Sequence, residues 1–287
     1  MTSKPINVSS VPQLSPFRYP GGKTWLVPHI RQWLRHCKPS VLVEPFCGGG
    51  ITGLTAGFER LAKHVILIEK DENVAAVWKT IFSRNAKWLA QQILEFDISP
   101  ERVAEVVGTP ITSVRSQAFL TIVRNRTCHG GIMYHGSGVI KTGENGKGIA
   151  SRWYPQTLAR RILAIHERRE RFTFIEGDGF DEIEKWMNDP SVAIFVDPPY
   201  TVSRKGAGKR LYLYNEIDHE KLFSLMNSLR GNFLMTYDDD EAVAELADGF
   251  NFATELVPMK SRQHVTKNEA LISSNHEWMR DRQLQLF

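Results

Sequence analysis

Two hydrophobic rhythms alternate along this chain. Trp25, Leu26, Ile30, Trp33 and Leu34 recur at helical spacing, which predicts a helix within Lys23 to Cys37. The short apolar run Val41-Leu42-Val43 then predicts a buried strand. Gly48-Gly49-Gly50 follow it, then a helical segment from Ile51 to His64, and a second run, Val65-Ile66-Leu67-Ile68, ending in Glu69. Ala75, Ala76, Val77 and Ile81 carry the next helix. Strand, glycine loop, helix, strand and acid, in that order, form a βαβ unit of the nucleotide-binding kind.

The strand rhythm resumes at Phe172 to Ile175, Val192 to Val196 and Asn232 to Tyr237, with a helical stretch from His219 to Leu229. Such alternation implies an α/β fold: a mostly parallel, Rossmann-like sheet with helices on both faces. Residues 86–155 break the alternation. Gly130, Gly131, Gly136, Gly138, Gly143, Gly146 and Gly148 crowd their second half, so this stretch reads as an inserted helical and hairpin lobe. The expected organisation is a loose tail over 1–14, a catalytic body over 15–85 and 156–287, and the inserted lobe between them.

Composition excludes several classes. The 287 residues are 42% hydrophobic and 24% charged, near the globular average, which argues against disorder and fibrous repeats. No apolar run approaches the roughly 20 residues that span a bilayer. Met-Thr-Ser-Lys-Pro lacks the apolar core of a secretory signal, so a cytoplasmic protein is expected. Cys37, Cys47 and Cys128 fit neither a disulfide framework nor a zinc site, and no metal is expected. His129 and His135 have no second pair of ligands near them.

Charge matters through its distribution. The net charge is only +4, yet Arg115 to Arg171 carry a local +8 on a body of −4. Arg204, Lys205, Lys209 and Arg210 form a second basic cluster. A basic side on a mildly acidic body suits a polyanion.

Three segments carry candidate chemistry. In Glu44-Pro45-Phe46-Cys47-Gly48-Gly49-Gly50, glycines permit close approach of backbone to a ligand, and Glu69 follows Gly50 by 19 residues, suited to ribose hydroxyls. Glu69 could equally cap the next helix. Phe17-Arg18-Tyr19-Pro20-Gly21-Gly22-Lys23-Thr24 lacks the glycine that a phosphate loop needs where Phe17 stands. It reads instead as a lid with a stacking aromatic, two glycines and a lysine for a carboxylate. Asp197-Pro198-Pro199-Tyr200 directly follows an apolar strand. Its carboxylate and a proline carbonyl can accept both hydrogens of an exocyclic amine, and its tyrosine ring can stack on an extruded base. Asp238, Asp239 and Asp240 read as a helix N-terminus.

With these segments in this order, the chain resembles the S-adenosylmethionine-dependent DNA adenine-N6 methyltransferases. The resemblance spans residues 17 to about 200, and Lys267 to Asn275 resembles the family's C-terminal element. It implies S-adenosyl-L-methionine contacts from Tyr19, Lys23, Glu69 and Asp197, with Glu44, Phe46, Gly48 and Asp178 around them. It implies a catalytic pocket of Asp197, Pro198, Pro199 and Tyr200. Duplex DNA is the implied partner, held by Arg124, Asn125, Arg126, His129, Tyr134, Arg152, Arg204 and Lys205, with the protein acting as a monomer or weak dimer in a prokaryotic or phage-infected cytoplasm. One departure counts: members that read GATC carry Tyr-Asn-Gly-x-x-Arg, where this chain has His129-Gly130-Gly131-Ile132-Met133-Tyr134, so GATC recognition does not follow. Methylation of cytosine N4 or RNA, and a non-catalytic DNA-binding role, stand as alternatives.

Overall fold

The computed structural model describes residues 8, 11–18, 22–131, 138–143, 146–199, 217–260 and 266–280. A 3₁₀ turn, Lys23–Leu26, leads into α1 (Val27–Cys37) and β1 (Val41–Glu44). Next come α2 (Ile51–Phe58), β2 (His64–Glu69) and α3 (Glu72–Phe82). Then follow α4 (Ala86–Glu95), α5 (Pro100–Gly108), α6 (Val114–Thr127), α7 (Pro155–His166) and β3 (Phe172–Glu176). The chain continues through α8 (Gly179–Glu184), β4 (Val192–Val196), α9 (His219–Ser228), β5 (Asn232–Asp238) and α10 (Glu241–Gly249), and closes with β6 (Ala253–Lys260), β7 (Thr266–Ser273) and α11 (Glu277–Arg280).

The strands form one seven-stranded sheet in the order β3-β2-β1-β4-β5-β7-β6. The first five are parallel, and β7 runs antiparallel to both β5 and β6. The Rossmann-like expectation therefore holds, with an antiparallel edge added. That edge escaped the sequence reading because β6 mixes polar and apolar residues, as a strand exposed on one side does.

Side-chain alternation builds two cores. In β4, Ala193 and Phe195 face the layer of α1, α2, α3, α4, α6 and α7, while Val192, Ile194 and Val196 face α8, α9 and α10. A strand buried on both faces must be apolar throughout, and all five β4 residues are.

The inserted stretch is less detached than its glycines suggest. Ala86, Leu89 and Ile93 of α4, with Ala118, Ile122 and Val123 of α6, belong to the same core cluster as β1, β2 and β4. Positions 85 and 155 are thus no break in packing. The segment read as helical through His64 also ends early, at Phe58, and Arg60 adopts a left-handed φ of 57° before β2 begins.

Caps explain several starts. Asp71, Ser99, Ser113, Asp178, Asp218 and Asp240 each accept a backbone N–H at the head of a helix. Asp240 thereby fulfils the helix-start reading of Asp238 to Asp240. The three cysteines are free, and among the described residues no helix is long and apolar enough to cross a membrane.

Candidate active site

Strand order reverses between β1 and β4: β2 and β3 lie to one side, β5 to the other. Ligands of open α/β sheets bind at the carboxyl ends of the strands beside such a reversal. Glu44 ends β1, Glu69 ends β2, and Asp197 directly follows β4.

The loop after β1 is shaped by contacts that side chains would block. Gly50 heads α2 with a φ of 62°, and a Cβ there would lie 3.0 Å from the Trp78 ring. The Trp78 indole N–H donates to the Gly48 carbonyl at 3.0 Å, and Cys47 N–H donates to the Ile68 carbonyl at 2.9 Å. The Gly53 N–H donates to Glu44 Oε2 at 2.7 Å. A Cβ on Gly179 would approach the Pro45 carbonyl to 2.6 Å, so α8 closes on the loop from the other side.

Carboxyl groups gather on this edge. Part of the Glu69 side chain reaches the surface, but its oxygens turn onto backbone: Oε2 accepts from Gly48 N–H at 2.8 Å, Oε1 from Lys70 at 3.0 Å and Asp71 at 2.9 Å. Burial pushes Glu69 up to about 7, and Glu44 up to about 8. Helix α3 has its N-cap in Asp71, which accepts from Asn73 N–H, while Glu69 ties the residues just before it to the glycine loop. Asp178 caps α8 through Phe180 N–H at 3.0 Å and pairs with Lys70 at 2.7 Å. Against a burial effect in the other direction, the Lys70 ammonium holds Asp178 below the usual carboxylate range. Phe46 meets Phe180 edge-on at 6.1 Å.

Lys23 crosses from the start of the chain to the end of β4. Its ammonium lies 2.9 Å from Asp197 Oδ1 and 2.9 Å from Glu269 Oε1, and its side chain is 3% exposed. Burial alone would lower its pKa; the two carboxylates reverse that and hold it above the usual lysine range. Thr236 Oγ1 on β5 donates to the same Asp197 Oδ1 at 2.9 Å. The Asp197 side chain itself keeps 25% of its surface open. The lysine-to-carboxylate pairing expected of the lid segment is therefore formed. Pro198 is buried behind Asp197 and Pro199 half-buried beside it.

The strap leading to Lys23 is tied down by α6 and α7. Asn125 Oδ1 accepts from Arg18 N–H at 2.8 Å, and its amide donates to the carbonyls of Arg18 at 2.8 Å and Gly131 at 3.0 Å. Arg126 donates to the Pro16 carbonyl and Arg161 to the Ser15 carbonyl. Phe17 packs 5.8 Å from Trp78, joining strap to glycine loop.

Two expected DNA contacts are corrected by this arrangement. Asn125 is fully buried and Arg126 nearly so, both spent on the strap. Burial and the neighbouring guanidinium groups of Arg161 and Arg18 push Arg126 down to about 9. Their side chains emerge from the last turns of α6 on its inward side, a direction that a run of polar residues did not disclose. Arg124 and Arg152 are half-buried and His129 is exposed, so these three remain accessible. Cys128 pairs with Val139 across an isolated antiparallel bridge beside them. Tyr19, Tyr134, Tyr200, Arg204 and Lys205 lie outside the described residues.

Glu269, Thr236 and Trp78 were not singled out from sequence. Glu269 lies within the Lys267 to Asn275 stretch, but only the β5–β7 register, Asp238 opposite Glu269, brings it to the site. Among the described residues, no group of three or more His, Cys, Asp or Glu could hold a metal.

The partly open carboxyls of Glu69, Asp178 and Asp197 make this edge suited to a ligand with hydroxyl and amine donors. A family model described as D12 class N6 adenine-specific DNA methyltransferase matches residues 19–260. No curated protein matches the chain. Among solved structures, it is similar to a methyltransferase from Geobacter sulfurreducens (12% identity, 89% of this chain and 80% of that one, TM-score 0.40). It is also similar to an rRNA methylase from Streptococcus thermophilus (11% identity, 86% and 94%, TM-score 0.36).

Proposed function

Because the chain belongs to the D12 class N6 adenine-specific DNA methyltransferases, we propose that Asp197 and Pro198 receive an adenine extruded from duplex DNA and activate its N6 amine. The observation that carries this is the fixed Asp197 carboxylate, held by Lys23 and Thr236 at the switch point of the sheet.

The family's cofactor is S-adenosylmethionine, which when bound supplies an electrophilic methyl group on a cationic sulfonium. The residues present fit it. Gly48 and Gly50 turn the loop with left-handed φ of 44° and 62°, and bare glycines let Trp78 and α8 pack against it, which exposes backbone and no side chain at this edge, while Glu69, Asp178 and Asp197 supply acceptors. Each carboxylate oxygen accepts two hydrogen bonds; Glu69 Oε1 is filled by Lys70 and Asp71 N–H, but Oε2 accepts only from Gly48, so it can hold one ribose hydroxyl. Phe46 and Phe180 offer apolar surface for the adenine of the cofactor. Tyr19 and Lys23 are further contacts that the family implies for the cofactor.

N6 of adenine is a poor nucleophile because its lone pair is delocalised into the ring. Asp197 and the Pro198 carbonyl accept the two amine hydrogens and hold the nitrogen towards tetrahedral geometry, so its lone pair points outward. With the cofactor bound, the nitrogen–methyl bond would form as the sulfur–methyl bond breaks and S-adenosylhomocysteine leaves, with no covalent enzyme intermediate, and Asp197 would be placed to accept the proton that N6 sheds. Arg124, His129 and Arg152 hold phosphates or base edges, together with Tyr134, Arg204 and Lys205, while Tyr200 stacks on the extruded base. Residues 86–155 form the recognition side of the protein, and their departure from Tyr-Asn-Gly-x-x-Arg gives no support for GATC as the site. The protein is read as acting as a monomer or weak dimer in a prokaryotic or phage-infected cytoplasm.

The test is nucleoside mass spectrometry of unmethylated duplex DNA, the same DNA as single strands, and RNA, each incubated with the protein and S-adenosylmethionine. N6-methyladenine from the duplex is expected. Product from RNA alone, or N4-methylcytosine, would overturn the reading.

A further inference from the structure

Glu269 has no part in the chemistry described so far, yet it is buried to 4% exposure beside the catalytic carboxylate. A carboxylate withdrawn that far from water needs a compensating charge, and Lys23 provides it at 2.9 Å. That same ammonium is the partner of Asp197. The Lys23 ammonium therefore pairs with both carboxylates at once.

We propose that Glu269 is a positioning residue for methyl transfer, sharing the Lys23 ammonium with Asp197 so that Asp197 is fixed in place without losing its strength as an acceptor. The role rests on the reading of Asp197 as the acceptor of the target amine. An ammonium paired with Asp197 alone would draw the whole of its attraction onto Oδ1, and a carboxylate so neutralised accepts amine hydrogens more weakly. With Glu269 on the far side, Lys23 keeps its hydrogen bond to Asp197 while part of its field is turned away. Thr236 holds Oδ1 by a neutral hydrogen bond and adds orientation without charge.

The strand register explains how the three meet. Asp197 extends β4 on the face of Phe195, Thr236 lies on the same face of β5 two residues past Leu234, and Glu269 lies two residues before Leu271 on β7. Lys23 enters that face from the 3₁₀ turn before α1. Among the described residues, the charged groups near the trio include Asp238, directly across from Glu269, Lys267, two residues along β7, and Glu44, whose buried carboxyl interacts with Asp197. Asp238 and Lys267 are solvent-exposed, so their effect on the trio is screened.

The experiment measures kcat for N6-methyladenine formation on unmethylated duplex DNA and the Kd for S-adenosylmethionine. The proteins are wild type, Glu269→Gln, Glu269→Asp, Lys23→Met and the double variant Lys23→Met with Glu269→Gln. Glu269→Gln keeps the shape and loses the charge: kcat is expected to fall at least tenfold with the cofactor Kd changed less than threefold. Glu269→Asp keeps the charge at shorter reach and is expected to lose only two- to fivefold. Once Lys23 is Met, adding Glu269→Gln is expected to cost no further kcat, because Glu269 acts through Lys23. The proposal is overturned by a Glu269→Gln kcat within twofold of wild type, by a loss confined to cofactor affinity, or by kcat losses that add in the double variant. If Glu269→Gln does not fold, Glu269→Asp decides by its kcat at unchanged cofactor affinity: a loss supports the role and wild-type turnover overturns it. A wild-type protein that forms no N6-methyladenine would instead overturn the reading of Asp197, and this role with it.

Discussion

Lys23 and Asp197, 174 positions apart in the sequence, meet at 2.9 Å at the carboxyl end of the central strand. The lid segment is therefore part of the site and not a separate cover. Replacing Lys23 with Met takes the ammonium from between buried Glu269 and half-buried Asp197, which costs about 3 kcal/mol, the low end for a buried pair because Asp197 is partly solvated. Thermal melts of both proteins check this, and an unchanged midpoint contradicts it.

Glu44 gives wild-type stability a pH slope of its own. Burial raises its folded value from 4.5 to about 8. A carboxyl raised on folding favours the folded state most below its unfolded value, and that contribution is lost as pH rises through about 8, on the order of 4 kcal/mol in all. Glu69, raised to about 7, acts in the same direction. Glu44→Gln should flatten the fall in urea-unfolding free energy between pH 5 and pH 9. An unchanged slope would mean that Glu44 is ionised without cost in the folded protein.

The strap makes a separate demand. Asn125→Ala removes three hydrogen bonds to backbone groups of Arg18 and Gly131, and a loss of about 3 kcal/mol is expected from the buried groups left unmet. Amide exchange in residues 11–18 should speed up, and turnover should fall with DNA affinity changed little. A strong loss of DNA affinity at unchanged strap protection would return Asn125 to the DNA-facing side.

How far the chain could be read in advance follows physical lines. The βαβ unit, the strand at Val192 to Val196 and the helix start at Asp240 depend on local periodicity and capping, and sequence carries both. The pairing of Lys23 with a carboxylate was legible from the chemistry of its segment. The inward direction of Asn125 and Arg126 was not, because polar residues at the end of a helix look alike whether they reach water or a neighbouring backbone. Glu269 was hidden for another reason: its contact depends on how β7 registers against β5, and a one-residue slip would have sent it to the opposite face.

Basic residues on the DNA side predict a steep salt response. If Arg124 and Arg152 neutralise phosphates along with other cations, each contact adds close to one unit to the slope of log affinity against log salt. Fluorescence anisotropy with a labelled duplex between about 50 and 200 mM salt should show steep weakening, and Arg124→Ala or Arg152→Ala should each lower the slope by about one. A flat response would remove these residues from the interface.

The central claim is that the carboxylate of Asp197 carries methyl transfer to adenine N6. It is tested most directly by quantifying N6-methyladenine in duplex DNA after incubation with S-adenosylmethionine and either wild type or Asp197→Ala, with folding of the variant verified by its melt. The account predicts N6-methyladenine from wild type and a loss of at least about a thousandfold in Asp197→Ala, close to 4 kcal/mol of transition-state stabilisation. A folded Asp197→Ala protein that methylates adenine within tenfold of wild type would contradict it.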